Sequence, residues 1–373
     1  MSIIAASVIA TGCGSGKTSA IVSSFEGGTL LDESGINVID LKGDWHQMGR
    51  QYGNLAKGFL DDILSYLDAK LVGETDNKAQ AYAIADSLFM NYPVYLKDFF
   101  DGMEETSGIP LEDLKLCNAV EYVEGCFFCS GIAAWGAYSK DKLVFGRNYD
   151  AGNYSEVCRD LVLTVYHPEN RLSAATFGYA GEIYCINGLN EKGIFIELNN
   201  GMPSAGWDID WSMIPGTTSL FELLLSAESL QDVERFFANS ISPASFSIGV
   251  SDKSEAMVYE WCHEGAKRGD VTTPVGLVVN TNHYSNPEWS FPVPSEKESW
   301  NSNARRCNLL NFAERTKGRI DVPELKEIMS TSIEDGGPYH NLTRYQIVAV
   351  PEDLTLHIKL PCNEEWVEIN NLF

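Results

Sequence analysis

The chain has 373 residues, 44% of them hydrophobic, which is enough for a sizeable core in one large domain or in one domain with an appendage. Acidic residues outnumber basic ones, 52 against 27, for a formal net charge of -25. Such a surface repels phosphate backbones and disfavours adhesion to anionic lipid, so nucleic acid is excluded from the expected partners.

The first feature in chain order is an uninterrupted apolar stretch, Ile3 to Ala10. It is far shorter than the roughly 20 residues needed to span a bilayer, and it suits the h-region of a secretory signal. It runs into Ala10-Thr11-Gly12-Cys13, which resembles the lipobox of bacterial lipoproteins, where the Cys is lipidated and becomes the mature N-terminus. Residues 1–13 are therefore expected to be a lipoprotein-type signal, with Cys13 the lipidation site, and 14–36 a tether. On that reading the protein is exported and faces an oxidising compartment such as the periplasm or cell envelope. Without the signal it would be cytoplasmic. The nine cysteines form no regular framework, and no disulfide is assigned. Gly16-Lys17-Thr18 ends like a phosphate-binding loop, but Thr11 stands where that motif requires Gly. A Ser- and Gly-rich stretch follows where a helix should open, which argues against nucleotide binding.

Asn37 to Leu41 reads as a short strand, and from Asp44 to about Val123 the pattern is helical. Met48, Tyr52, Leu55, Phe59, Ile63 and Leu67 recur at helical spacing between His46 and Leu71. Asn77 to Met103 repeats the habit, with Pro93 expected to bend or split it. Pro110-Leu111-Glu112 opens a third helix. From Cys129 onward strands dominate. Hairpins are expected for Ile132 to Tyr138 with Leu143 to Arg147, for Glu182 to Gly188 with Gly193 to Leu198, for Phe246 to Val250 with Ala256 to Trp261, and for Tyr345 to Val350 with Leu354 to Leu360. Leu161 to Tyr166, Ala174 to Phe177 and Leu277 to Asn280 are further strands. Helices are expected at Ser219 to Asn239, Ala304 to Arg315 and Val322 to Ser330. This order implies two stacked antiparallel sheets covered by helices, an α+β fold.

The chemistry centres on Cys129, at a junction between helix and strand. Gly146-Arg147-Asn148-Tyr149-Asp150 lies at the far end of the same hairpin, and hairpin geometry folds Arg147 and Asp150 back towards Cys129. An Arg beside a thiol favours the thiolate. A nearby carboxylate can hold a protonated amine, so the set suits nucleophilic catalysis in which the base is the amine of the nucleophile's own residue.

Cys129-Ser-Gly-Ile-Ala-Ala-Trp-Gly136 followed by Gly146-Arg-Asn-Tyr-Asp150 resembles the signature of the choloylglycine-hydrolase-like superfamily of N-terminal-nucleophile (Ntn) hydrolases. Gly188-Leu-Asn-Glu-Lys-Gly193 with Glu197-Leu-Asn199, Asn280-Thr-Asn-His283 and Ser302-Asn-Ala-Arg305 are similar to its later motifs. Leu41-Lys-Gly43 and Met48-Gly-Arg-Gln-Tyr-Gly53 look like the pro-region of its penicillin acyltransferase and acid ceramidase-like branch. The resemblance implies a four-layer αββα sandwich at 129–373, preceded by a helical pro-region at 37–128. It implies self-cleavage between Phe128 and Cys129, freeing the Cys129 amine as base. It further implies that Asn199 stabilises the oxyanion, that Arg147 and Arg305 hold the thiolate and polarise the site, that Asp150 positions the amine, and that Asn282 holds the amine or the leaving group. Arg306 competes with Arg305, and Asn280 with Asn282.

The expected activity is hydrolysis, or acyl transfer, at the linear amide of an N-acyl small molecule, with neither cofactor nor metal and with self-association allowed for. The long stretch between Cys13 and Cys129 argues against bile salts as the default substrate. Tyr149, Trp135, Tyr179, Tyr184, Trp207 and Trp211 are candidates for an apolar acyl cleft. The competing readings are a non-catalytic lipoprotein binding module and a papain-like protease pairing Cys129 with His263 or His283.

Overall fold

Residues 19–71, 75–124, 128–151 and 160–373 are described in a computed structural model of the chain. The lipobox with Cys13, the Gly16-Lys17-Thr18 run and Cys126 lie outside the described residues.

The first described element corrects an expectation. From Ser19 onward the stretch read as a tether is built structure: β1 (Ser19–Phe25) pairs with β2 (Gly28–Glu33), and β2 with β3 (Ile36–Gly43), all antiparallel. Both turns are two-residue loops with positive φ at each central position, Glu26 at 48° and Gly27 at 93°, then Ser34 at 55° and Gly35 at 91°. That is the backbone of the hairpin turns whose twist matches the flanking strands, and Gly is what makes it accessible. The same Ser and Gly content that suggests a flexible tether is thus turn chemistry.

Six helices follow: α1 (Trp45–Leu55), α2 (Lys57–Leu71), α3 (Thr75–Met90), α4 (Val94–Ser107), α5 (Leu111–Asn118) and α6 (Val120–Glu124). Asp44 caps α1 by accepting from the Gln47 N–H at 2.8 Å. The 46–71 pattern is two helices separated at Ala56, and Pro93 splits the next pattern into α3 and α4. α1 and α4 cross at backbone contact. A Cβ added at Gly49 would stand 1.9 Å from the Phe99 carbonyl oxygen, and one at Gly102 would stand 2.2 Å from that of His46. Those glycines exist to let the helices touch.

The rest of the chain runs β4 (Ser130–Ala134), β5 (Val144–Asp150), β6 (Leu161–Pro168), β7 (Ala174–Tyr179), β8 (Asn187–Asn190), β9 (Phe195–Asn200), α7 (Met202–Ala205), α8 (Gly216–Leu224), α9 (Leu230–Ala238), β10 (Phe246–Ser251), β11 (Ala256–Cys262), β12 (Gly265–Arg268), β13 (Leu277–Asn280), α10 (Ser302–Arg315), α11 (Val322–Ser330), β14 (Thr343–Val350), β15 (Thr355–Lys359) and β16 (Val367–Ile369). The single helix expected over 219–239 is two, and the strand expected from Glu182 begins only at Asn187.

One sheet has the order β1-β2-β3-β6-β7-β8-β9-β10-β11-β12 and the other β13-β4-β5-β14-β15-β16. They stack face to face: the Phe145 and Phe195 rings sit 5.1 Å apart across the gap, and Phe177 meets Tyr345 edge-on at 4.9 Å. α10 and α11 cover the outer face of the smaller sheet, where Leu309, Phe312, Leu325 and Met329 cluster with Ile132 and Val348. α1 and α8 cover the larger sheet through Trp45, Phe221 and Tyr166. The result is the expected αββα sandwich with one departure from antiparallel pairing. β3 lies parallel to β6, from Asn37 against Val162 to Gly43 against Pro168. The segment before Phe128 is thus woven into the sheet of the segment after it.

Candidate active site

Cys129 sits immediately ahead of β4, which lies between β13 and β5. The β4–β5 register sets Gly131 against Arg147. Side chains alternate along β5, so it presents two faces. Arg147 and Tyr149 point into the gap between the sheets, where Arg147 reaches β9 and Tyr149 stacks on Tyr345 at 4.5 Å. Asn148 and Asp150 face the helical layer, where Asn148 donates to the Met329 carbonyl and Asp150 nears Arg305. Cys129 is flanked from both sides by a buried guanidinium.

On the inner side, Arg147 Nη2 donates to Cys129 Sγ at 3.5 Å and to the Leu198 carbonyl at 2.9 Å. Its Nη1 donates to Asn199 Oδ1 at 3.0 Å and forms an ion pair with Glu197. Glu197 also accepts from Asn280 Nδ2 at 2.7 Å and from Asn199 Nδ2 at 3.3 Å. On the outer side, Arg305 Nη1 donates to the Cys129 carbonyl and to Ser130 Oγ, each at 2.6 Å, and Nη2 donates to Asn282 Oδ1 at 2.9 Å. Asn282 Nδ2 donates to the Asn200 carbonyl at 2.9 Å. Arg305 lies 4.0 Å from Asp150, whose other oxygen accepts from Thr343 Oγ1 at 2.6 Å. The helix carrying Arg305 is entered through Trp300 and Asn301, both at positive φ, 52° and 60°. Non-Gly residues hold that conformation only when their surroundings impose it, and Arg305 Nε bonds the Trp300 carbonyl at 3.2 Å.

These contacts separate the alternatives left by sequence. Arg305 faces the site, whereas Arg306 points away to Thr272 Oγ1. Asn280 belongs to the Glu197 cluster and Asn282 to the Arg305 cluster, so they occupy opposite sides. Neither histidine of the protease reading bonds the thiol: His263 is exposed beside Glu264, and His283 is engaged with Ser302 Oγ at 2.7 Å. Burial and the two arginines depress His283 to about 4.

The electrostatics correct one expectation. The Cys129 thiol is pushed up to about 12 by burial, which outweighs the lowering by Arg147. The negative charges of Asp150 and of Glu197, the ion-pair partner of Arg147, add to the rise. Burial also raises Asp150 to about 6 against the lowering by Arg305 and Thr343. With the Phe128–Cys129 bond intact, the thiol is held neutral.

Glu197 is the main residue that sequence reasoning quoted without a role. The signal was available, because a lone acid in the otherwise uncharged strand Phe195–Asn200 needs a buried partner. The structure clears room for it: a Cβ at Gly131 would stand 2.4 Å, and one at Gly249 2.7 Å, from its Oε1. Cys126 stands three residues before Cys129 in a CxxC spacing that the sequence reading passed over.

Beside the thiol opens a cavity of about 170 Å³ walled by Ile186, Leu198, Trp207, Ile209 and Phe246. Tyr149 and Trp207 line it as expected. Trp211 packs instead on Tyr122, while Tyr179, Tyr184 and Trp135 belong to the surrounding core. Glu121 and Tyr122, from α6, also line the cavity. Among the described residues no group of His, Cys, Asp and Glu could hold a metal ion, and no helix is long and apolar enough to cross a membrane.

Two stacked sheets between helical layers make a four-layer αββα sandwich, with a cysteine at the head of an inner strand and its own carbonyl held by an arginine. Residues 138–305 match the family described as acyl-coenzyme A:6-aminopenicillanic acid acyl-transferase. Similar solved structures include an N-acylethanolamine-hydrolyzing acid amidase ortholog from Caenorhabditis elegans, at 15% identity and TM-score 0.46 over 64% of this chain and 97% of that one. A mutant conjugated bile acid hydrolase from Clostridium perfringens aligns at 15% identity and TM-score 0.45, covering 65% and 92%. Penicillin V acylase from Agrobacterium tumefaciens aligns at 11% and 0.42, covering 65% and 86%. No curated protein matches the sequence.

Proposed function

We propose that the chain is a self-activating cysteine amidohydrolase or acyltransferase acting on the linear C–N amide of an N-acyl small molecule. The observation that carries this reading is the position of Cys129 at the mouth of an apolar cavity, with Arg147 on its sulfur and Arg305 on its carbonyl.

In the first stage the Cys129 thiol adds to the Phe128 carbonyl carbon, and the C–N bond breaks in favour of a thioester. Water then cleaves the thioester, leaving the Phe128 carboxylate and a free Cys129 α-amine. That amine has a reference pKa of about 7.7–8.0, suited to base work near neutral pH. In the second stage it takes the thiol proton as sulfur attacks the substrate carbonyl. Asn199, with a backbone N–H, receives the oxyanion, typically the largest single contribution to such catalysis. The amine returns its proton to the leaving nitrogen, and water or an acceptor amine takes the acyl group from sulfur. Asp150 and Asn282 hold the amine and the leaving group from the helical side. The hydrophobic wall favours an apolar acyl portion.

The test is the chain's own covalent state. Active protein should separate into two pieces under denaturation, the larger beginning at Cys129, and Cys129→Ala should remain one inactive chain. Full turnover by protein in which Phe128 and Cys129 are still joined would overturn the mechanism.

Export as a lipoprotein anchored through Cys13 is the accompanying proposal, supported by the Ile3 to Ala10 run before Ala10-Thr11-Gly12-Cys13. Cys13→Ala should move the protein from the membrane fraction to the soluble fraction; an unchanged distribution would refute the anchor.

A further inference from the structure

The short helix α6 lies on the N-terminal side of the bond proposed to be cut, yet two of its residues face the cavity beside Cys129. It is pinned to the downstream segment twice. Tyr122 OH meets Thr217 Oγ1 of α8 at 2.9 Å, and Glu121 Oε1 accepts from the Tyr149 hydroxyl of β5. Cutting at Phe128 leaves both contacts intact, so this wall of the cavity survives activation.

Glu121 is the anomaly in that wall. It is buried, its neighbours around the cavity are mostly apolar, and burial raises its carboxyl to about 7. An unpartnered polar group in such a place costs free energy, which an apolar residue would avoid. A carboxyl offers roughly four acceptor sites on two oxygens. The Tyr149 hydroxyl engages one oxygen, and among the described residues no hydrogen-bond donor reaches the other. A neutral donor enters a cavity with such walls at a lower desolvation cost than a cation does.

We infer that Glu121 sets acyl-group specificity: the cavity takes an acyl chain that is mainly apolar but carries a hydrogen-bond donor, a hydroxyl in the first instance, which docks on the Glu121 oxygen left open by Tyr149. This rests on the amidase reading above and names the substrate class within it. A site built to pair a substrate hydroxyl discriminates strongly against the analogue that lacks it, because its own polar group is then left unpaired.

The experiment compares, on the processed protein, ω-hydroxyalkanoyl and n-alkanoyl amides of one amine over a series of equal chain lengths. At the length that reaches Glu121, the hydroxylated amide should exceed its alkyl twin in kcat/KM by about tenfold or more, the scale of a single neutral hydrogen bond. In Glu121→Leu the ratio should fall to about one. Glu121→Gln, which keeps an acceptor for Tyr149 and for the substrate, should retain most of the preference. A wild type with no preference at any length overturns the inference without recourse to a variant, as does a preference that persists in Glu121→Leu. Turnover of neither series would instead sink the amidase reading itself, so the two failures are distinguishable.

Discussion

The two guanidinium groups flanking Cys129 are equally buried but differently balanced. Arg147, on the sulfur side, is in direct contact with a buried carboxylate, Glu197. Arg305, on the carbonyl side, faces mainly neutral oxygens, from Cys129, Ser130, Asn282, Ser299 and Trp300, with Asp150 4.0 Å away. Charge balance follows: Arg147 is raised above its ordinary value, whereas burial lowers Arg305. The uncompensated positive charge lies beside the backbone around the proposed cleavage point rather than beside the thiol. An arginine near a cysteine therefore does not by itself activate it; the counter-ion decides.

The largest effect should come from breaking the balance on the sulfur side. Glu197→Gln leaves Arg147 without its carboxylate, and removing one partner of a buried pair costs about 3–5 kcal/mol of stability. Denaturant unfolding of this variant in the uncleaved Cys129→Ala background should show that loss. In the Cys129-containing chain the thiol should react faster with iodoacetamide than in the wild type, because Arg147 is freed to lower its pKa. A thiol that reacts no faster would break the comparison.

Asp150 sharpens the carbonyl side. Its carboxyl is raised from an ordinary 3.8 to about 6, so the folded state binds the proton more tightly than the unfolded state does. Its contribution to stability is therefore full below about 3.8 and is lost as pH rises through about 6. The span corresponds to about 3 kcal/mol at most, by the conversion from pKa shift to free energy. In Cys129→Ala protein, Asp150→Asn should flatten the fall in stability between pH 4 and pH 7 seen by thermal unfolding. An unchanged slope would show that Arg305 holds Asp150 ionised throughout.

The smallest effect is the control. Arg306→Ala should cost less stability than Arg305→Ala and leave cleavage and turnover intact, since the Arg306 guanidinium donates to Thr272 rather than to the backbone of Cys129. A loss comparable to that of Arg305→Ala would reverse the assignment of the two arginines.

The stretches that were legible in the sequence have local causes. The β4–β5 and β10–β11 hairpins are carried by paired apolar runs around polar turns, and α1, α4 and α11 by helical spacing and caps. β1 and β2 were missed because a Ser- and Gly-rich composition fits a tether as well as a twisted hairpin. Only pairing along β3 tells them apart. Residues Met48 to Gly53, which read as a motif of the pro-region, are explained by the contact of Gly49 with the α4 backbone.

By itself the sequence determined the class of fold, the candidate nucleophile and the hairpin that brings Arg147 back towards it, because periodicity and turn chemistry act over short stretches of chain. Only the tertiary structure decided which carboxylate neutralises which arginine, which of two adjacent arginines faces the site, and that Glu121, upstream of the proposed cut, walls the cavity with residues far downstream. Charge balance and pocket shape depend on distances between segments remote in sequence, and those distances exist only once the two sheets have closed on each other.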